Sequence, residues 1–434
     1  MKLRVVRFGL ISALLVAFLG PTTTFAATPT LTVMSRNIYL GADVGVALEL
    51  IPNMPAAAQF MWDQVKKNDF SKRSITLASE IRKYQPDVIG LQEATTWFCK
   101  KHPWSKKTEV FNFTEDLLQS LNGDYVLVSK DGTTALNPGY SINPIPFLTM
   151  VEDPEVFQKL FGKNEAACGF QIADALVIKR SLSSQVIKVG NTEYEDSYTI
   201  VPTLMNIYRG YTWADIKIGE IPVRFISTHL ESIWEENKIP NSAKQANQLI
   251  SDLKNTRMPT VVIGDFNSDP RDPRSKNSVN PGLQPTESEE CPAGGSKCNA
   301  YRLMKEAEFS DAGPDASDAS TFTWGMNSLL TGPDPVRLKA AQAMGNKYGF
   351  TDRLDYIFTR NGVEVVTSKI FGFEPPYGSD HAGLVADFKV TSNTIVQSEY
   401  PPSHNPFPIS FWQIVSITIV VVAAWRIKRR LTRA

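Results

Sequence analysis

The chain has 434 residues, of which 42% are hydrophobic, 21% charged and 10% aromatic. Those proportions suit a folded protein with a sizeable core and exclude a chain that is disordered over most of its length. The 45 basic and 45 acidic side chains cancel, so no global positive field marks a nucleic-acid binder, although a local basic groove stays open.

In chain order, residues 1–26 come first, with Lys2, Arg4 and Arg7 ahead of an apolar stretch from Phe8 to Leu19 and small residues around Ala26. A basic start, a short apolar run and small residues near a cut site predict a secretory signal peptide, or an uncleaved anchor of the same orientation. Residues 31–390 read as one domain. Leu31 to Asn37 alternates as a strand, and Ser71 to Tyr84 places Ile75, Leu77, Ala78 and Ile81 on a helix that stops before Pro86. Asp87 to Glu93 is a buried strand, as are Tyr125–Ser129, Ala175–Ile178, Val223–Thr228, Thr260–Gly264 and Leu354–Thr359, while Ser242–Leu253 is helical. Many strands with interspersed helices predict two packed sheets flanked by helices.

Two stretches read as insertions: 133–169, with an apolar run from Ile145 to Met150 and a helix over Pro154–Phe161, and the polar 269–299. Of the four cysteines, Cys291 and Cys298 lie close together in a Gly-rich loop and are paired here, which leaves Cys99 with Cys168 in an oxidising compartment. Trp97, His102 and Trp104, with Lys100, Lys101, Lys106 and Lys107, form a basic aromatic run suited to nucleic acid, to a lipid interface, or simply to water. Residues 391–408 are a Pro-rich linker containing His404. Residues 409–425 carry no charge, are bounded by Trp412 and Trp425, and are followed by a basic tail, 426–434. That pattern predicts one C-terminal transmembrane helix with its tail in the cytoplasm and the domain outside; a cleavable sorting tail shares the same plan.

The chemistry-bearing residues stand at strand ends. His229 closes Val223-Arg-Phe-Ile-Ser-Thr-His229, and His381 follows Asp380 in Gly378-Ser-Asp-His381. An imidazole beside a carboxylate can serve as an oriented general base. Glu93, Asp265 and Asp355 stand in or after apolar runs, and Asn37 ends the first strand. Buried carboxylates without partners are costly, and oxygen ligands of this kind suit a hard cation such as Mg²⁺.

The ordered series Arg36-Asn37, Gln92-Glu93, Ser227-Thr-His229-Leu, Gly264-Asp-Phe-Asn267, Arg353-Leu-Asp355-Tyr-Ile and Ser379-Asp-His381 resembles the endonuclease/exonuclease/phosphatase superfamily. The resemblance implies an α+β fold, a four-layer α/β/β/α sandwich of two mixed sheets packed face to face with helices outside. It also implies roles. Glu93, Asn37 and Asp380 would surround a Mg²⁺ (or Mn²⁺), and Asp265 with Asn267 would orient the nucleophile and the scissile phosphate. His381 would be the general base oriented by Asp355, and His229 would bond the phosphate or leaving oxygen. Arg209 in Tyr208-Arg-Gly-Tyr would contact the phosphate. The implied activity is a metal-dependent phosphoric ester hydrolase. The apolar 145–150 run, the neutral charge and the membrane tether favour a lipid head-group phosphodiester, as in sphingomyelinases. An extracytoplasmic nuclease, an inositol-phosphate phosphatase and a catalytically silent surface binding module are the other expectations. The partners are then the phosphoester substrate and, through the C-terminal helix, the membrane; no protein partner is inferred.

Overall fold

The computed structural model describes residues 29–102, 104–140, 149–201, 205–233, 238–272, 291–325 and 335–391. The expected signal (1–26), linker (391–408, beyond Thr391) with His404, transmembrane segment (409–425) and tail (426–434), residues 145–148 and most of the polar insertion lie outside the described residues. Among the described residues, no helix is long and apolar enough to cross a membrane.

Two sheets form the body. The larger has the order Val363–Phe371, Gly383–Val390, Thr30–Asn37, Val88–Lys100, Glu165–Lys179, Tyr125–Leu127, with Thr108–Asn112, Leu136–Tyr140 and Thr149–Glu152 paired onto it. The smaller runs Val186–Glu193, Gly210–Ile218, Ile221–His229, Thr260–Asp265, Asp355–Arg360, Ser310–Asp311. Both sheets are mixed. Thr30–Asn37 is parallel to Val88–Lys100 and antiparallel to Gly383–Val390, and Ile221–His229 is parallel to Thr260–Asp265.

Alternation along the strands sorts side chains into three apolar layers. Leu31, Val33, Val88, Leu384 and Phe388 of the larger sheet meet Phe225, Val261, Ile263 and Ile357 of the smaller one in a common central cluster. On the outer face of the larger sheet, Met34, Ile89 and Leu91 pack against Met61, Trp62, Leu77 and Ile81 of the helices Met54–Asn68 and Phe70–Tyr84. On the outer face of the smaller sheet, Ile226, Val262 and Phe358 pack against Leu249 and Leu253 of Asn241–Leu253 and Met304 of Ala300–Glu306. The layers therefore run helix, sheet, sheet, helix.

Local sequence sets these helices. Asn53 caps Met54–Asn68 by accepting the Ala56 N–H, with Pro55 in the first turn. Its buried residues Ala57, Met61, Trp62 and Val65 make one stripe. Phe70–Tyr84 ends where Gln85 turns left-handed ahead of Pro86. Gly90 is required at the sheet–sheet contact, because a Cβ there would stand 2.5 Å from Ile263 Cγ2.

The structure departs from the expected elements in two places. The strand expected to stop at Glu93 runs on to Lys100. A register shift between Leu91 and Ala94 against Glu165–Lys179 bulges the strand at Glu93, and pairing resumes beyond it. The stretch 133–169, expected as an insertion, contributes Leu136–Tyr140, Thr149–Glu152 and the start of Glu165–Lys179 to the larger sheet. Its helix Pro154–Phe161 is present, capped by Asp153.

Candidate active site

Strand ends of both sheets meet at one cleft. The larger sheet supplies Asn37, Glu93 and the Asp380–His381 turn before Gly383–Val390, and the smaller supplies His229, Asp265, Asn267 and Asp355. Asn37 sits at the join. Its Nδ2 donates to Glu93 Oε1 at 3.1 Å and to Asp265 Oδ2 at 3.0 Å, which ties one acid from each sheet to a single amide. Glu93 Oε2 accepts the Leu40 N–H at 2.6 Å. Glu93, Asn267 and Tyr39 hold φ of +59°, +45° and +57°. Non-glycine residues enter that region at an energetic cost, and their clustering here belongs to the site rather than to the fold.

His381 is buried, and its Nδ1 lies 2.9 Å from Asp355 Oδ2. Nδ1 therefore carries the proton, and Nε2 faces Asp265 Oδ2 at 3.7 Å and Asn37 Nδ2 at 3.5 Å. Burial opposes a charged imidazole, but Asp355, Asp265 and Asp380 outweigh it and lift the His381 pKa to about 10. Burial, reinforced by Asp355, raises Asp265 to about 7 against the pull of His381. Burial with the nearby Glu93 raises Asp380 to about 6. Among the described residues, Asp265, Asp355 and His381 bring their donor atoms within 4.8 Å of one another, and Asp355 Oδ1 is buried without a hydrogen-bond partner. Acids that resist ionisation, an unpartnered carboxylate oxygen and an imidazole held protonated all describe an excess of negative charge. Oxygen donors of this type fit a hard divalent cation. The donor atoms that converge are those of Asp265, Asp355 and His381; Glu93 and Asp380 line the same cleft, and Asn37 bonds both Glu93 and Asp265.

His229 is tuned the opposite way. Burial, then Arg209 and His381, depress its pKa well below 6.5, so the ring is neutral. Arg209 Nη1 lies 3.0 Å from His229 Nδ1. A guanidinium only donates, so Nδ1 accepts and the ring proton sits on Nε2. Asn267 Nδ2 stands 3.0 Å from that nitrogen and donates to the Leu230 carbonyl at 2.8 Å. Asp265 Oδ2 lies 3.6 Å from the same His229 nitrogen, so the two N–H groups stand at the edge of the acid cluster, an arrangement suited to donating to a phosphoryl oxygen.

The frame around these groups contains residues that the sequence reading did not single out. Glu231 clamps Arg209 through Nε at 3.2 Å. The Asp174 carboxylate accepts the backbone N–H of His229, and burial raises its pKa well above the usual range despite the nearby Arg209. Thr323 Oγ1 accepts the Leu354 and Asp355 N–H groups, its carbonyl accepts from Ala382, and Trp324 bridges to His381 and lines the cleft. Arg73 donates to the carbonyls of Ile38, Tyr39 and Gly378. Asp174 carried the same signal as Glu93, a carboxylate inside an apolar run, and Glu231 follows the His229 strand two residues on. Thr323, Trp324 and Arg73 had no such signal.

Cys99 is joined to Cys168 and Cys291 to Cys298, both away from the cleft. The Lys100–Lys107 run also stands outside it.

Carboxylates, amides and imidazoles are gathered at the seam of two mixed sheets, and the donor atoms of Asp265, Asp355 and His381 lie close enough together to hold a cation. Residues 53–381 match the endonuclease/exonuclease/phosphatase family, and the chain belongs to that family of phosphoester-bond hydrolases. No curated protein matches the chain. Solved structures similar to it include an endonuclease/exonuclease/phosphatase from Bacteroides vulgatus (17% identity, 83% of this chain and 99% of that one, TM-score 0.43). Another is the endonuclease/exonuclease/phosphatase from Beutenbergia cavernae DSM 12333 (15% identity, 85% and 74%, TM-score 0.48). A third is TDP2 from C. elegans (16% identity, 84% and 77%, TM-score 0.43).

Proposed function

We propose that the protein is an exported, membrane-tethered, Mg²⁺-dependent phosphodiesterase that hydrolyses a lipid head-group phosphodiester with water activated by His381. The observation that carries the reaction is the 2.9 Å His381–Asp355 contact, whose free Nε2 faces the acid cluster across from the His229–Asn267 donor pair.

In this reading Asp355 holds the His381 tautomer and steadies the imidazolium as Nε2 takes the proton from an in-line water. His229 Nε2–H and Asn267 Nδ2–H receive the charge that develops on the phosphoryl oxygens, and Arg209, fixed by Glu231, holds His229 in that orientation. An imidazole with a pKa near 10 is already protonated at neutral pH. His381 acts as a base only when the charge of the surrounding carboxylates is offset. A divalent cation, when bound, offsets that charge and supplies Lewis acidity toward the non-bridging oxygens.

The cleft wall supports the substrate class. Among the described residues, Leu40, Val44, Ile172, Ile233 and Trp324 line it beside the polar groups, and it presents one arginine, Arg209, paired with Glu231, and no lysine. A nuclease cleft needs several cations to follow a phosphate backbone. Export and tethering rest on the charge and hydropathy of residues 1–26 and 409–434. The test is hydrolysis by the purified protein with Mg²⁺ of sphingomyelin, phosphatidylcholine, supercoiled DNA and inositol phosphates. Cleavage of a lipid alone supports the reading. Cleavage of DNA or of an inositol phosphate instead replaces it with the nuclease or phosphatase reading.

A further inference from the structure

The basic aromatic run takes no part in the cleft, yet the fold gives it a defined support. Beyond Glu93, strands Val88–Lys100 and Glu165–Lys179 continue as an arm paired from Ala94 with Ala173 to Lys100 with Ala167. Thr108–Asn112 and Thr149–Glu152 extend the arm on either edge. At the usual rise per residue, Ala94 to Lys100 spans roughly 20 Å. Ile172 lines the cleft and pairs with Thr95, so the arm leaves directly from the cleft wall. It is braced along its length. Cys99 and Cys168 are opposite one another and bonded, and Trp97 contacts Phe170 at 4.7 Å and Trp62 of the outer helix layer at 5.5 Å.

At the outer turn of this braced arm, Trp104 is 93% exposed. Lys101 and Lys106 are exposed beside it, and Lys107 stands 3.5 Å over the Phe98 ring. From Trp97 to Asn112 there are four lysines against one carboxylate, Glu109. An exposed indole on a rigid support, flanked in the chain by the exposed Lys101 and Lys106, matches the headgroup layer of an anionic bilayer. The ring partitions to the interface, and the lysines meet the lipid phosphates and carboxylates. Single-stranded nucleic acid asks for a groove of successive stacking rings, whereas this turn offers one ring on a convex tip.

We propose that the tip of the arm docks the protein on an anionic bilayer through Trp104, Lys101 and Lys106, and so holds the cleft over the lipid head groups. The docking stands on the arm alone, and only the placement of the cleft rests on the phosphodiesterase reading.

The test uses the full-length protein with His102→Cys carrying an environment-sensitive fluorophore, every described native cysteine being held in a disulfide. His381→Ala is added so that binding is read without turnover. The probe reports contact at the tip, whatever else of the chain meets the bilayer. Expected is a blue shift with vesicles of phosphatidylcholine and phosphatidylserine and none with phosphatidylcholine alone. Partition should weaken about fivefold for each of Lys101→Gln and Lys106→Gln, the effect of ~1 kcal/mol per basic residue at an anionic surface. Trp104→Ala should also weaken it. The proposal is overturned if these three substitutions leave partition unchanged, or if an oligonucleotide shifts the probe and vesicles do not. Failure of the phosphodiesterase reading would show separately, as absence of turnover by the protein with His381 intact.

Discussion

His229 and His381 differ only in what surrounds them, and that difference assigns their work. Burial, with Arg209, keeps one ring neutral and Arg209 leaves its proton on Nε2, while Asp355 and Asp265 hold the other charged against burial. His381→Ala should therefore remove the base and lower kcat by roughly 10²–10⁴-fold. His229→Ala should cost roughly 10²–10³-fold through the lost donor, with a native-like circular dichroism spectrum in both cases as the control for folding. The pKa shifts also fix a pH dependence. Asp380, Asp265 and His381 all bind protons more tightly in the folded chain than their ordinary values allow, up to pH values of about 6, 7 and 10. Their joint contribution to the cation-free protein is largest at low pH and falls as pH rises through that span, because the unfolded chain then binds fewer protons than the folded one. A bound divalent cation would take the place of those protons. Calorimetry should show Mg²⁺ raising Tm more at pH 9 than at pH 6, with protons released on binding; a stabilisation that does not change with pH would contradict the assignment. At this scale the sequence was most informative. Glu93, Asp265 and His229 stand out as polar groups closing apolar runs, and Asp355 and His381 as polar groups just ahead of them, whereas Thr323 and Arg73 act through backbone carbonyls and amides that no local pattern reveals.

Elements were legible where their periodicity was complete and hidden where tertiary pairing extended them. Phe70–Tyr84 and Asn241–Leu253 carry a regular apolar stripe and clear ends. The strand through Glu93 looked finished because a charged residue broke its apolar run. The bulge there turns Glu93 into the cleft and lets the strand resume as the arm. The Cys99–Cys168 bond closes a 69-residue separation across that arm. Replacing both cysteines by serine should lower unfolding free energy by up to about 4 kcal/mol in a denaturant titration. Hydrolysis of a small soluble phosphodiester should change little, since the bond lies away from the cleft.

The whole molecule makes the site by bringing two sheets into contact. The His381–Asp355 and Asn37–Asp265 hydrogen bonds each cross from the larger sheet to the smaller, so neither half can form the site alone. Gly90 sets that approach, and Gly90→Ala should destabilise the fold by roughly 1–3 kcal/mol through overpacking against Ile263. Activity should fall with it, because the separation of the sheets is also the separation of the acids. The reading of two sheets with outer helices was available from strand and helix patterns alone, but the crossing contacts depend on register, which the sequence does not state. The most direct test of the account is the Mg²⁺-dependent rate on a generic phosphodiester such as bis(p-nitrophenyl) phosphate, compared between the parent protein and His381→Ala. The account predicts turnover by the parent that chelation abolishes, and a loss of roughly 10²–10⁴-fold in the variant. Equal rates in the two proteins, or no turnover by the parent, would contradict it.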